Sequence, residues 1–301
     1  MDTNILLENG TNELEVLEFT LGDNHYGINV AKVREILSYQ PVTPVPNSHE
    51  YVEGIFMPRD DMISVVDLKR SIGMGSSEEK GLFIITNFNQ LNIAFHVDQV
   101  LGIHRISWAD IILPGVTVND AENGIATGVI KIDGKLIVIL DFEKIVTDIS
   151  PETGLKISDI ESMGERERNT LPILIAEDSP LLGNMITDCM KKAGYTNLDM
   201  CPNGKVAWDK LQEYKADGVI DEKVALVVTD IEMPLMDGHR LTKLVKEDPE
   251  LRHVPVVIFS SLVNAEMRRK GEMLGADAQL SKPEIGQLVD QIDKLILAKG
   301  K

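Results

Sequence analysis

The stretch Val227-Val228-Thr229-Asp230-Ile231-Glu232-Met233-Pro234-Leu235-Met236-Asp237-Gly238 decides the fold of the second half of this chain. It runs from an apolar block, Ala225–Thr229, into a carboxylate and then into a turn carrying Pro234 and Gly238. A near-continuous apolar run of this length suits a parallel strand covered on both faces. Four comparable segments flank it: Ile173–Ala176, Leu198–Cys201, Val254–Phe259 and Ala278–Leu280. Amphipathic stretches lie between them. In the last, Ile285, Leu288, Val289, Ile292, Leu295 and Ile296 mark one face at helical spacing. Five strand–helix units predict a doubly wound parallel sheet, whose ligand chemistry sits beyond the carboxyl ends of the strands.

Each apolar strand but the second ends in a group of chemical interest. The first ends in Glu177-Asp178, followed by Ser179-Pro180 as a helix start. The third ends in Asp230, the fourth in Ser260-Ser261, and the fifth runs into Ser281-Lys282-Pro283. In a parallel sheet these groups converge on one edge. Three carboxylates in one small site repel each other unless a cation neutralises them. Carboxylates, a backbone carbonyl and water suit Mg²⁺. Asp230, ending the central strand, is placed to attack a phosphoryl group as a nucleophile. Mg²⁺, Lys282 and the Ser260 hydroxyl can supply charge and donors to the transferred group. The Lys282–Pro283 bond could adopt the cis form and turn the ammonium back into the site.

The chain has 301 residues, a length that predicts two domains, or three small ones. Its formal charge is −18. Residues 1–150 hold 10 basic and 22 acidic side chains, and residues 151–301 hold 20 and 26. Neither half carries the positive field that nucleic-acid backbones or anionic membranes demand. No apolar run approaches the roughly 18–20 residues of a membrane span, and the N-terminus MDTNILLENGTNE is no signal peptide. Cys189 and Cys201 are too few for a disulfide framework, so a reduced, cytoplasmic protein is expected. The stretch from Asp148 to Thr170 contains Pro151, Gly154, Gly164 and the alternating charges Glu165-Arg166-Glu167-Arg168. It reads as a partly helical linker, with Leu155, Ile160 and Met163 as a weak stripe.

Before the linker the periodicity is two-fold, as in Leu17–Leu21 and Leu91–Val97. This region repeats itself. At an offset of 74, Gly54-Ile55-Phe56 falls on Gly128-Val129-Ile130, and Met62–Leu68 falls on Leu136–Phe142. At an offset of 67, Ile28, Val30, Val33 and Ile36 match Phe95, Val97, Val100 and Ile103. Two similar β units follow, each able to close a small barrel. The repeated Asp67 and Asp141 suit a turn role after a buried strand. His25, His49, His96 and His104 share no metal-ligand spacing and read as structural or surface residues. The loop GMGSSEEKG, Gly73 to Gly81, is not followed by a helical pattern, so it does not read as a phosphate cradle.

Residues 171–300 resemble a response-regulator receiver domain, an α/β flavodoxin-like doubly wound (βα)5 fold. The resemblance rests on LPILIAEDSP, VVTDIEMPLMDG, VPVVIFSS and GADAQLSKP. It implies phosphorylation of Asp230, with Lys282 binding the phosphoryl group and Ser260 as the hydroxyl switch. It also implies Mg²⁺ held by Asp178, Asp230 and the backbone carbonyl of Glu232, with Glu177 acting through water. Two positions depart from the family. Gln279 stands where an aromatic that moves with the hydroxyl is common. Glu232 adds an anion near the water path, and we expect it to slow acyl-phosphate hydrolysis. Equal or slower dephosphorylation in Glu232→Asn would count against this. A haloacid-dehalogenase-like phosphatase also uses an Asp nucleophile, but there the nucleophile comes first in sequence and a second Asp lies two residues on. Here the acidic pair precedes Asp230, and the residue two on is Glu232.

Residues 13–148 resemble the CheW-like coupling domain of bacterial chemotaxis, an all-β fold of two intertwined small SH3-like barrels. The carrying segments are HYGINVAKVREIL, VTPVPNSHEYVEGI, MPRDDMISVVDLK and GVIKIDGKLIVILDFEKIV. The resemblance places Glu35, Ile36 and Arg59 at positions of receptor or kinase contact. Asp60 replaces the glycine that usually follows the arginine, and Arg59 could instead pair with Asp60, Asp61 or Glu53. A coupling domain (1–150), a linker (151–170) and a receiver (171–301), with no DNA-binding region after them, resemble a CheV-type chemotaxis adaptor. That family implies chemoreceptor cytoplasmic tips and the chemotaxis histidine kinase as partners, without membrane insertion. Phosphorylation would then tune signalling through the attached domain, or the receiver would act only as a phosphate sink.

Overall fold

The computed structural model describes residues 13–77, 80–88, 91–112, 124–150, 160, 164, 166–262 and 265–299. The chain divides into two compact units, one spanning Glu13–Thr153 and the other containing Gly154–Lys301.

The first unit is built twice from one pattern. The first repeat contributes β1 (Glu13–Leu21), β2 (Asn24–Asn29), β3 (Val33–Ser38), β4 (Val52–Phe56), β5 (Ile63–Asp67) and helix α1 (Leu68–Ser71). The second contributes β6 (Leu82–Phe88), β7 (Leu91–Val97), β8 (Gln99–Ser107), β9 (Ala126–Ile132), β10 (Lys135–Leu140) and α2 (Phe142–Ile149). The repeats exchange strands. One sheet has the order β8-β1-β2-β10-β9, and the other β3-β6-β7-β5-β4. Each therefore combines the opening hairpin of one repeat with the last three strands of the other. Both sheets curl until their ends meet. Thr43 and Ile55 exchange two backbone hydrogen bonds in one sheet, as Ile112 and Val129 do in the other.

Burial explains the dense apolar pattern of β1. Leu14 and Val16 fill the first barrel with Trp108, Ile130, Ile137 and Ile139. Leu17, Phe19 and Leu21 face the opposite way, into a core shared with Ile84, Phe95, Leu140 and Phe142 from both repeats. Each such side chain contributes about 1.5–3 kcal/mol on burial, so the shared core joins the barrels energetically as well as topologically. The repeated aspartates are helix caps: Asp67 accepts from Arg70 N–H at 3.2 Å and Asp141 from Lys144 N–H at 2.9 Å.

The second unit is the expected parallel sheet, in the order β12-β11-β13-β14-β15. Its strands are β11 (Ile173–Ala176), β12 (Leu198–Cys201), β13 (Leu226–Thr229), β14 (Val256–Ser260) and β15 (Ala278–Ser281). The helices are α3 (Pro180–Lys192), α4 (Gly204–Ala216), α5 (Ile220–Lys223), α6 (Gly238–Glu247), α7 (Ala265–Met273) and α8 (Ile285–Lys299). One core lies between the sheet and α3 with α8, the other between the sheet and α4 with α6. Of the stretch read as linker, Ile160 is buried in the α3–α8 core. Asn169 N–H donates to Gly194 O at 2.8 Å, and Asn169 O accepts from Thr196 N–H at 3.0 Å. Leu155 and Met163 lie outside the described residues. No described helix is long and apolar enough to cross a membrane.

Candidate functional site

Sheet order gathers the polar strand ends of the second unit. β11 and β13 are neighbours, so Glu177, Asp178 and Asp230 leave the same edge side by side. Carboxylate oxygens of all three lie within 4.8 Å of one another. Lys282 reaches them from beyond β15. Its Nζ is 2.8 Å from Asp230 Oδ2 and 3.1 Å from Glu177 Oε2, with the side chains of all three nearly inaccessible to solvent. The Lys282–Pro283 bond is trans, contrary to the cis geometry considered from sequence. A four-carbon stem already spans the gap, so no backbone reversal is needed. Three carboxylates and one ammonium leave a formal charge of −2 among these four groups. That balance and an all-oxygen donor set fit a divalent cation of the Mg²⁺ type.

The loop after β13 is held tightly. Asp230 Oδ1 accepts from Ile231 N–H at 2.6 Å, and Gly238 N–H returns to Ile231 O at 2.9 Å. A Cβ on Gly238 would lie 1.8 Å from the Asp230 carbonyl oxygen, so only glycine fits there. Asp237 caps α6 through Arg240 N–H at 2.7 Å. Burial raises its carboxyl, against the backbone N–H groups that lower it. Glu232 sits in this loop two residues past Asp230, half-buried. Ser260 ends β14, next to β13, fully buried, and its Oγ accepts from Leu262 N–H at 3.2 Å. Gln279 points toward α7, where its amide donates to Arg268 O at 2.7 Å.

In the first unit, the structure brings Glu35 and Arg59 together at 3.6 Å; Arg34 and Asp61 pair beside them at 3.4 Å. These pairs join β3 to the β4–β5 loop. Arg59 pairs with Glu35 rather than with the acids weighed from sequence, and its side chain is 82% exposed. Ile36, one residue on, is 40% exposed. An open groove of about 450 Å³ lies in the same unit, lined by Met62, Val66, Leu91, Ile93, Val146 and Ile149.

Sequence reasoning missed one cluster. His25 Nδ1 and His104 Nε2 each lie 2.6 Å from a different oxygen of Glu18, a buried side chain of β1. Burial alone would raise the Glu18 carboxyl, but His104 and His25 outweigh it and hold the group below its ordinary value. Glu18 faces Gly27 on one neighbouring strand and Gly102 on the other, with each histidine two residues from its glycine. That geometry depends on strand pairing, which no local spacing reveals.

Residues 15–150 match the CheW-like domain family, and residues 173–293 match the response regulator receiver domain family. The chemotaxis protein CheV3 of Helicobacter pylori is 28% identical over 280 residues, covering 90% of this chain and 88% of that protein. The chemotaxis protein CheW of Thermotoga maritima is 31% identical over 150 residues, 50% of this chain and 98% of that protein. Among solved structures, the scaffolding protein TtCheW from Thermoanaerobacter tengcongensis is 28% identical with a TM-score of 0.39, over 43% of this chain and 84% of its own. Both domain types occur in sequence, and the likeness to CheV3 runs through both: the chain is a CheV-type protein, a CheW-like domain followed by a response regulator receiver domain.

Proposed function

We propose that this chain is a cytoplasmic chemotaxis adaptor whose coupling of chemoreceptor to histidine kinase is regulated by phosphorylation of Asp230. The observation that carries this reading is the buried contact of Lys282 with both Asp230 and Glu177, beside Asp178. We divide the chain into a coupling domain (1–150), a linker (151–170) and a receiver (171–301).

The reaction is transfer of a phosphoryl group from a kinase phosphohistidine to Asp230. The P–N bond breaks, a P–O bond forms to the carboxylate, and an acyl phosphate results. Glu177, Asp178, Asp230 and the Glu232 carbonyl would hold Mg²⁺, which when bound neutralises charge on the phosphoryl oxygens. Lys282 supplies the fixed positive charge for the same oxygens, and Ser260 a hydroxyl donor. Ile231 N–H orients the carboxylate through Oδ1. The receiver contributes positioning and electrostatics only, so the protein is an adaptor rather than an enzyme with a separate substrate.

Receptor tips and kinase would dock on the coupling domain, which would place the protein at receptor arrays through protein contacts. Glu35, Ile36 and Arg59 suit such contacts, as an exposed apolar side chain beside an exposed arginine paired with a half-buried glutamate. The test is Mg²⁺-dependent incorporation of one phosphoryl group from phosphorylated kinase or acetyl phosphate. Asp230→Ala should abolish it; labelling that persists in this variant would sink the assignment. In reconstituted receptor–kinase complexes, Asp230→Ala should also change kinase output. Unchanged output and affinity would reduce the receiver to a phosphate sink.

A further inference from the structure

At the tip of the β4–β5 hairpin, Phe56 pairs with Ile63, and both side chains fill the interior of their barrel. Beyond them the chain turns through Arg59 and Asp60, with φ of +52° and +72°, and Asp61 N–H donates back to Pro58 O at 3.2 Å. Two successive positive φ values in a two-residue loop make a type I′ turn, which continues the strand register. Met57 therefore lies opposite Met62, and strand alternation turns both away from the barrel interior. They are 62% and 66% exposed. Ser64 of β5 pairs in parallel with Ile93 of β7, which sets Leu91 beside Met62. Leu91 is 43% exposed and lines the open groove together with Met62. Met57, Met62 and Leu91 thus form an outward apolar row, at the turn that bears Arg59.

Two of these three side chains are open to a chemistry the third lacks. A thioether takes one oxygen from a peroxide to become a sulfoxide, and an apolar side chain becomes a polar one. Access to the sulfur decides which methionines react. Met190 and Met233 are fully buried, and the Met74 sulfur accepts the Tyr26 hydroxyl at 3.2 Å. Met273 is exposed but belongs to α7 in the other unit. Among the described residues, only this hairpin sets two exposed methionines opposite each other. In the reaction the sulfur attacks one peroxide oxygen, the O–O bond breaks, and the other oxygen leaves as water after proton transfer. Sulfur is oxidised by two electrons and the peroxide is reduced by two. Burying the new oxygen against an apolar partner surface costs free energy unless a donor meets it.

We propose that Met57 and Met62 are a paired oxidation site, and that their sulfoxides weaken the assembly of this chain with receptor and kinase. The site itself stands on exposure and register. Its effect on assembly rests on the reading that the surface around Arg59 docks these partners. Methionine sulfoxide reductases reverse the modification, so the pair can report oxidant rather than merely suffer it.

Hydrogen peroxide on the native full chain, followed by peptide mass spectrometry, tests the site. Met57 and Met62 should each gain one oxygen about tenfold faster, or more, than Met190 and Met233. Binding to reconstituted receptor–kinase complexes tests the effect, with each protein compared against its own untreated sample. Peroxide should weaken binding of the unmodified protein roughly tenfold, and methionine sulfoxide reductases should restore it. Met273→Leu should respond to peroxide in the same way. The double variant Met57→Leu/Met62→Leu, with no sulfur at the hairpin, should not respond at all. Met62→Gln places a polar group there permanently and should bind more weakly than the unmodified protein before any treatment. Oxidation of the pair no faster than that of the buried methionines overturns the site. Sulfoxides on both residues with binding unchanged, a peroxide effect that survives in the double variant, or full binding by Met62→Gln overturns the effect on assembly. If the untreated protein does not bind the complex, the docking reading fails and the effect with it; the oxidation site is still judged by the mass spectra.

Discussion

Leu235 has a φ of +67°, and the turn closes around it through a hydrogen bond from Met236 N–H to Pro234 O at 2.8 Å. A three-residue turn with positive φ at its centre is strained for any residue bearing a Cβ. The strain sits five residues past Asp230, in the loop that shapes the site. Leu235→Gly should raise receiver stability by roughly 0.5–1 kcal/mol, the strain released less the added chain entropy. A urea midpoint that fails to rise would show that the turn costs nothing. His239 makes a second residue-level statement. Burial, with the nearby Lys270 charge, pushes its pKa down to about 3, against the Met267 contact. The unfolded chain takes up this proton near pH 6.5 while the folded receiver does not, so stability is lost as pH falls from there toward 3. The loss is about 1.4 kcal/mol per pH unit, or roughly 2 kcal/mol at pH 5. Denaturation of His239→Leu across this range should show a flatter pH profile; an unchanged slope would place the acid sensitivity elsewhere. Asp230, the acidic pair and Lys282 were legible in the sequence because each follows an apolar strand. Glu18 and its histidines were not, because the residues that meet lie up to 86 positions apart.

At the scale of elements, the end of the stretch read as linker is fastened to the receiver. Arg166 donates to Ala193 O at 2.9 Å and to Asp293 of α8 at 2.5 Å, and the Tyr195 hydroxyl donates to the same carboxylate. With the Asn169 bridge, these contacts strap the residues before β11 to the turn after α3. Composition pointed to a linker here, since alternating charge and little apolar content mark solvated chain. What composition could not show is that one arginine has a half-buried carboxylate and a carbonyl waiting for it. Arg166→Ala should lower receiver stability by about 1–2 kcal/mol, as expected for lost hydrogen bonds to charged groups. A double-mutant cycle with Asp293→Asn should return coupling of about 1 kcal/mol; additive effects would mean the pair is incidental.

At the scale of the whole molecule, the duplication in the first unit was visible as two offsets in the sequence. The exchange of strands was not visible in the repeat itself; only the resemblance to the CheW-like coupling domain implied intertwined barrels. Similar hairpins carry no mark of which partner they pair with, so the offsets alone allow two side-by-side barrels as readily as the swapped pair. The swap has a consequence for how the unit could be broken. A protease site engineered between Gly75 and Gly81 would divide the repeats covalently, yet each fragment would still hold a hairpin in the other's sheet. Gel filtration of the nicked protein in native buffer should give one peak containing both fragments, which part only in denaturant. Two peaks in native buffer would show that the interlock is too weak to matter. If it holds, neither barrel can be shed, replaced or inherited by itself, and the unit behaves as a knot of two strands, kept entire or lost entire.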